Sequence, residues 1–254
     1  APGKLICIGL NYRDHAIEDG WRGPMVRHAD TDWGRITRVH PFPTDKGNIP
    51  ARALAFGGST ALTGLAGLVA RLRPDAVLAM SPPLTLGPAG VAVARRHRVP
   101  LVFNIQDVFP DVAIEVGAIR NRQVIAAASW LEQRTYRWAD AVTVLSDDLR
   151  DNVVAKIAGR PGGDPDKVRV IPNFIDTEWI RPGERRNAYR AELGIGDEFV
   201  VMYAGNVGFS QSLDLVIAAA QHLAHDPNVV FVINGGGSAR PALERAAAGL
   251  ANVR

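Results

Sequence analysis

The sequence predicts a doubly wound α/β fold, and three features of the chain predict it. Short runs of β-branched and aliphatic residues alternate with longer Ala/Leu/Arg segments of helical length, the order expected of βα units. Most of the short runs are continuously apolar rather than alternating, as strands covered on both faces of a parallel sheet are. The 25 glycines and 17 prolines sit at the joints between runs, where many short connections need them.

The elements follow in order. Lys4–Gly9 and Arg35–His40 are predicted strands, each a short apolar or β-branched stretch. Ile49–Arg73 is a predicted helix, within which the 18 residues Ala53–Ala70 carry no charge. That length touches the lower edge of a membrane span. Its glycines and hydroxyl residues dilute the hydropathy, so a buried or partly membrane-apposed helix is expected, with a span and a surface anchor as the other readings. Strands are then predicted at Ala76–Met80, Leu101–Ile105, Ala141–Leu145, Lys167–Ile171, Phe199–Ala204 and Val229–Asn234. Helices are predicted at Leu86–Arg96, Gln123–Trp138, Asp148–Lys156, Arg186–Leu193, Leu213–Ala224 and Pro241–Ala248.

Asn173–Glu184 (NFIDTEWIRPGE) is polar and proline-bearing and separates two βα series, which reads as an interdomain linker. The expected organisation is an atypical segment over 1–20, a first domain over 21–172, a linker over 173–185 and a partial second domain over 186–254. A stretch of about 70 residues is marginal for an α/β core. The chain is therefore expected to stop within a domain, and Ala1 in place of Met to mark a processed, trimmed or partial chain.

The formal net charge is +3. That is too mild for a nucleic-acid binder, which gathers basic charge on one face, and leaves room for an anionic small molecule or an anionic membrane surface. Cys7 is the single cysteine, which excludes an internal disulfide and a cysteine-based zinc site and points to the reducing cytoplasm. His28, His40, His97, His222 and His225 show no metal-ligand spacing. Asp140 and Ser146–Asp148 are expected to serve turns and helix caps.

Three segments can carry chemistry. VVMYAGNVGFSQS (200–212) is a strand, a loop with Gly205 and Gly208, and then a helix. Glycines let backbone approach a ligand, and a helix N-terminus favours a phosphate. Ser210, Gln211 and Ser212 add neutral donors. The G-x-x-G spacing is neither a dinucleotide fingerprint nor a P-loop, and a plain βα turn remains the alternative. VINGGGSAR (232–240) repeats the arrangement with Gly235, Gly236 and Gly237; on a neighbouring strand it would face the same crevice. In FNIQDVFPD (103–111), Gln106 and Asp107 follow a strand directly. The carboxylate could act as a base or orient a sugar hydroxyl, or cap the next helix.

From about Trp21 onward the chain resembles glycosyltransferase family 4, in the branch that assembles cell-surface polysaccharides. The resemblance is carried by MSPPLTLG (80–87), FNIQDVFPD (103–111), LEQRTYRWADAVTVLSDDLRDNV (131–153), KVRVIPNFIDTEWIRP (167–182), VVMYAGNVGFSQSLDLVIAAA (200–220) and FVINGGGSARPALE (231–244). It implies a GT-B fold, two Rossmann-like domains facing a cleft, the second one incomplete here. It also implies a retaining enzyme without catalytic metal or cofactor, with a nucleotide-diphosphate sugar as donor substrate and a sugar or lipid-linked sugar as acceptor at the inner membrane face. Asp107 and Gln106 would then border the reaction centre. Gly205, Asn206, Gly208, Ser210 and Gln211 would contact the donor diphosphate, and Gly235 and Gly236 would lie towards the nucleotide. The chain departs from many members at Asn206 and Gln211, where they carry Arg and Lys, and at Gln106, where they carry His. The family's Glu-x7-Glu donor segment would fall beyond Arg254.

Residues 4–18 (KLICIGLNYRDHAIE) separately resemble the start of the fumarylacetoacetate hydrolase family, which implies a metal-dependent hydrolase with His15 near the metal. A non-catalytic nucleotide-binding α/β module is the third reading.

Overall fold

The computed structural model describes residues 5–8, 26–32, 34–39, 49–71, 73–115, 117, 119–208 and 211–254. Its backbone divides into two compact units, Ala1–Phe174 and Ile175–Arg254.

In the first unit, β1 (Leu5–Ile8) is followed by a hairpin of β2 (Val26–Thr31) and β3 (Gly34–Val39). Then come α1 (Ile49–Val69), β4 (Ala76–Ser81), α2 (Leu86–His97), β5 (Leu101–Ile105), α3 (Asp111–Glu115), α4 (Arg122–Trp138), β6 (Ala141–Val144), α5 (Asp147–Ile157) and β7 (Val168–Val170). Five strands make one parallel sheet in the order β1-β4-β5-β6-β7. Its core joins Val77 and Ala79 of β4, Leu101, Phe103 and Ile105 of β5, and Val142 and Val144 of β6 to Leu86 and Val93 of α2, Tyr136 of α4 and Ile157 of α5. The Phe103 and Tyr136 rings meet at 6.1 Å. Helix α2 lies so close to α4 that a Cβ at Gly87 would fall 2.3 Å from the Thr135 methyl carbon.

The helix starts are set by side chains that accept from otherwise unpaired N–H groups. Asn121 Oδ1 accepts from the Gln123 and Val124 N–H groups at 2.9 and 3.3 Å. Ser146 Oγ accepts from Leu149 at 3.4 Å, the capping role expected of that segment. Asp140 Oδ2 accepts from the Leu101 N–H at 2.7 Å, which ties the end of α4 to the start of β5.

The second unit contains α6 (Ala188–Glu192), β8 (Phe199–Ala204), α7 (Asp214–His222), β9 (Val229–Asn234) and α8 (Arg240–Ala247). β8 and β9 are parallel and in register from Phe199↔Val229 to Ala204↔Asn234. Val253 bridges Phe231 on the other side of β9, again in parallel. Ile195, Val230 and Val232 form its small core.

Two differences from the sequence reading have physical reasons. The expected strand at Arg35–His40 is one arm of an antiparallel hairpin, not a member of the parallel sheet. Its partner Val26–Thr31 is too polar to register as a strand, and the sequence between the two arms, Asp32 and Trp33, carries no glycine turn signal. Polar cross-strand pairs hold it: Arg35 Nε donates to Asp30 Oδ1 at 2.7 Å, and His28 Nδ1 and Thr37 Oγ1 lie 2.9 Å apart. The long apolar helix ends at Val69, short of the expected Arg73. No helix among the described residues is long and apolar enough to cross a membrane.

Candidate functional site

The parallel sheet of the first unit carries Gln106 and Asp107 at the C-terminal end of β5. The Gln106 N–H donates to Ser81 O at 3.0 Å, so the ladder with β4 runs one residue past the strand. Gln106 Nε2 donates to Asn104 Oδ1 at 2.6 Å, and Asn104 Nδ2 donates to Thr143 Oγ1 at 2.8 Å. The Gln106 amide is thereby fixed by a chain reaching into β6. Asp107 is exposed and makes no side-chain hydrogen bond or ion pair among the described residues. The capping alternative for Asp107 is therefore not what its side chain does.

Behind this edge lies a group the sequence reading did not single out. Asp111, in the first turn of α3, accepts from Lys156 Nζ at 2.8 Å and from Asn152 Nδ2 at 3.1 Å. Lys156 also donates to Glu132 Oε1 at 2.7 Å, and the Tyr136 hydroxyl donates to the same oxygen at 2.8 Å. Glu132 has no exposed side-chain surface, and its Oε2 has no partner among the described residues. Burial pushes the Glu132 carboxyl above the usual carboxylate range, against the opposing pull of Lys156 and Tyr136. Burial and the neighbouring Glu132 likewise push the Tyr136 phenol up. This group anchors the segment that follows Asp107.

In the second unit the two glycine loops are joined. The Gly205 N–H donates to Asn234 O at 2.9 Å, Val207 N–H to Gly236 O at 2.8 Å and Ala239 N–H to Val207 O at 3.0 Å. The pairing of β8 and β9 thus continues beyond both strands. Such proximity demands glycine: a Cβ at Gly235 would lie 1.8 Å from Gly205 O, and one at Gly237 would lie 2.2 Å from Val207 O. Gly208 N–H donates to Gln211 Oε1 at 3.1 Å, and the Tyr203 hydroxyl donates to Asn206 O at 2.8 Å. A Cβ at Gly208 would meet the Gln211 and Asn206 side chains at 2.7 and 2.8 Å. Both amides therefore fold back over their own loop. Ser210 and His15 lie outside the described residues.

Most of the uncommitted backbone donors of the pair lie on the second loop. The N–H groups of Gly236, Gly237 and Ser238 have no acceptor among the described residues, and α8 starts at Arg240. Successive N–H groups at a helix start attract anions. A cleft of about 410 Å³ opens beside Asn234, Gly235 and Arg240. Arg240, which the sequence reading passed over, reaches Gly235 O at 3.4 Å and pairs with Glu244 at 2.7 Å. Among the described residues no three His, Cys, Asp or Glu side chains gather as a metal site requires.

Residues 15–173 match the model of the glycosyl transferase 4-like domain family. WcaI of Escherichia coli K12, whose name provisionally assigns it to glycosyl transfer in colanic acid biosynthesis, is 26% identical over 257 residues, covering 97% of this chain and 59% of that protein. Alpha-maltose-1-phosphate synthase of Mycolicibacterium smegmatis is 33% identical over 107 residues, covering 41% of this chain and 27% of its own. The chain thus spans little more than half of WcaI and a smaller share of the synthase. Anabaena HepE, solved in complex with UDP-glucose, superposes with a TM-score of 0.57 at 19% identity, over 82% of this chain and 53% of HepE. That likeness shows the fold, which is of GT-B type. The chain belongs to the glycosyl transferase 4-like domain family.

Proposed function

We propose that this chain is part of a retaining glycosyltransferase that moves a sugar from a nucleotide-diphosphate donor to a surface-polysaccharide or lipid-linked acceptor. The observation that carries the reading is the joined pair of glycine loops at the ends of β8 and β9, with three successive N–H groups just before α8 that have no acceptor among the described residues. Donors fixed before the ligand arrives stabilise charge developing on a leaving diphosphate without reorganisation. The UDP-glucose complex of HepE and the naming of WcaI support the same donor and reaction class.

On this reading residues 186–254 take the donor. Gly205, Asn206, Gly208, Ser210 and Gln211 border the diphosphate, and Gly235 and Gly236 lie beside it, towards the nucleotide. Residues 21–172 take the acceptor, with Asp107 as its carboxylate and Gln106 beside it, and 173–185 link the two. The protein works on the cytoplasmic side, in peripheral contact with the inner membrane face. The net charge of +3 leaves room for that contact.

The test is titration of UDP and GDP into this chain and into the protein extended to the length of its relatives, followed by a sugar-transfer assay. Micromolar to millimolar binding of one diphosphate, and transfer by the longer protein, are expected. If the longer protein binds neither and transfers no sugar, the proposal fails.

A further inference from the structure

The edge of the first unit opposite Gln106 and Asp107 has a surface that the sugar-transfer reading does not use. There the C-terminal ends of α1, α2 and α4 come together. His97 Nε2 lies 3.0 Å from Gly67 O, joining α2 to α1. The Arg95 guanidinium lies 5.6 Å from the centre of the Trp138 ring, joining α2 to α4. Along α4, Trp130, Arg134 and Trp138 follow one another at i, i+4 and i+8 and form one stripe about 12 Å long. The Arg134 guanidinium lies 5.6 Å from each of the two rings. The result is an alternating stack, Trp130–Arg134–Trp138–Arg95.

The stack is open to solvent. Trp130 is 56% exposed and Trp138 36%, while Leu65 and Val69 on the last turns of α1 are 55% and 66% exposed. Helix dipoles account for cations in the last turns, Arg95 and Arg96 of α2 and Arg137 of α4. They do not account for two exposed indoles in the same stripe. Stacking occupies the flat faces of the guanidinium groups and leaves their in-plane N–H donors free. No carboxylate among the described residues pairs with Arg95 or Arg134; Arg95 is exposed, while Arg134 is half-buried with its Nε out of reach of solvent, so its terminal N–H groups are the ones it can offer. α2 has no acidic residue, and the single one on α4, Glu132, is buried against Lys156. At the same edge the Asp140 carboxylate is engaged by the Leu101 N–H. The exposed charge of the two helices is therefore of one sign and interleaved with apolar surface.

We propose that this stripe docks the chain onto an anionic phospholipid surface. The proposal rests on the peripheral membrane contact in the reading above and assigns it a place. Indole rings settle at the boundary between headgroups and acyl chains, and guanidinium groups fork onto headgroup phosphates. Leu65 and Val69 supply further apolar surface in the same layer. The stripe reaches the edge where the strands of the sheet begin, whereas Gln106 and Asp107 follow the opposite end of β5. The stripe is thus a tether, separate from the acceptor site.

The experiment is co-sedimentation of the 254-residue chain with vesicles of phosphatidylglycerol and phosphatidylcholine, against vesicles of phosphatidylcholine alone. Wild type binds the mixed vesicles and is released by high salt. Replacing two cations, Arg95→Gln with Arg134→Gln, weakens binding about 30-fold, and Trp130→Ser with Trp138→Ser weakens it independently, with far-UV circular dichroism unchanged. If wild type binds and both double variants bind equally well, the stripe is the wrong surface and the membrane reading survives. Wild type that binds no vesicle overturns both. Retention on heparin without vesicle binding gives the stripe a soluble polyanion and overturns the lipid assignment.

Discussion

Lys156 Nζ sits 2.7 Å from Glu132 Oε1, and the lysine is the sole cation bonded to a carboxylate with no exposed side-chain surface among the described residues. The same ammonium reaches Asp111 Oδ2 at 2.8 Å, so it ties α3, α4 and α5 together. Removing one partner of a buried pair leaves the other charge desolvated and uncompensated, which costs about 3–5 kcal/mol. Lys156→Met is therefore expected to lower stability by about 3 kcal/mol, read by urea denaturation. A loss below about 1 kcal/mol would mean that the pair behaves as a surface ion pair.

Glu132 gives that pair a pH signature. Burial raises its folded-state pKa above the ordinary 4.5, with Lys156 and Tyr136 opposing. The native state then binds more protons than the unfolded state over the window above 4.5. Stability falls as pH rises through that window, because the excess protons sit on the native side. The stability difference between wild type and Glu132→Gln, measured from pH 4 upward, is expected to shift against wild type until the folded pKa is passed. A difference that moves in wild type's favour would show that Lys156 outweighs burial.

The glycine loops make a paired prediction. Gly235→Ala places a methyl where Gly205 O stands, 1.8 Å from the new carbon, whereas a Cβ at Gly236 meets nothing within 4 Å. Gly235→Ala should separate the loops, expose the Gly205 and Val207 amides to hydrogen exchange and cost about 1–3 kcal/mol in the second unit. Gly236→Ala should leave both amides protected. Equal protection in the two variants would show that the loops are not joined in solution.

How far this could be read from the sequence depends on the range of the interaction. The ends of β5, β8 and β9 are legible because an apolar run of five or six residues stops at a polar or glycine residue, and chain-local chemistry decides the boundary. The two glycine loops are legible as junctions for the same reason. Their hydrogen bonds to each other are not, because register between strands is a tertiary fact. The hairpin of β2 and β3 hides because facing residues such as Asp30 and Arg35 are polar and leave no apolar alternation to read. Lys156 with Glu132 and Asp111 hides because the partners are 24 and 45 positions apart, and nothing local distinguishes Lys156 from a solvated helix lysine. Asn104 left a faint mark, an amide inside an otherwise apolar strand, and it holds Gln106.

Asp107 and Gln106 are neighbours with opposite mechanical status, and that contrast separates a chemical role from a structural one. Asp107 is exposed and unpartnered among the described residues, so Asp107→Asn should leave stability within about 0.5 kcal/mol, as for surface changes away from special features. If its carboxylate serves the transfer proposed above, sugar transfer by the protein of full family length should fall by about 10²–10⁴, with nucleotide affinity unchanged because the proposed donor site lies in the second unit. Gln106→Ala should instead cut the amide chain to Asn104 and Thr143. It frees a half-buried Asn104 carbonyl at a cost of about 1–3 kcal/mol, with any loss of transfer following from Asp107 losing its fixed support. Thermal denaturation, nucleotide titration and the transfer assay on both variants separate the cases. Full transfer by Asp107→Asn would remove the carboxylate from the reaction, whatever Gln106→Ala does.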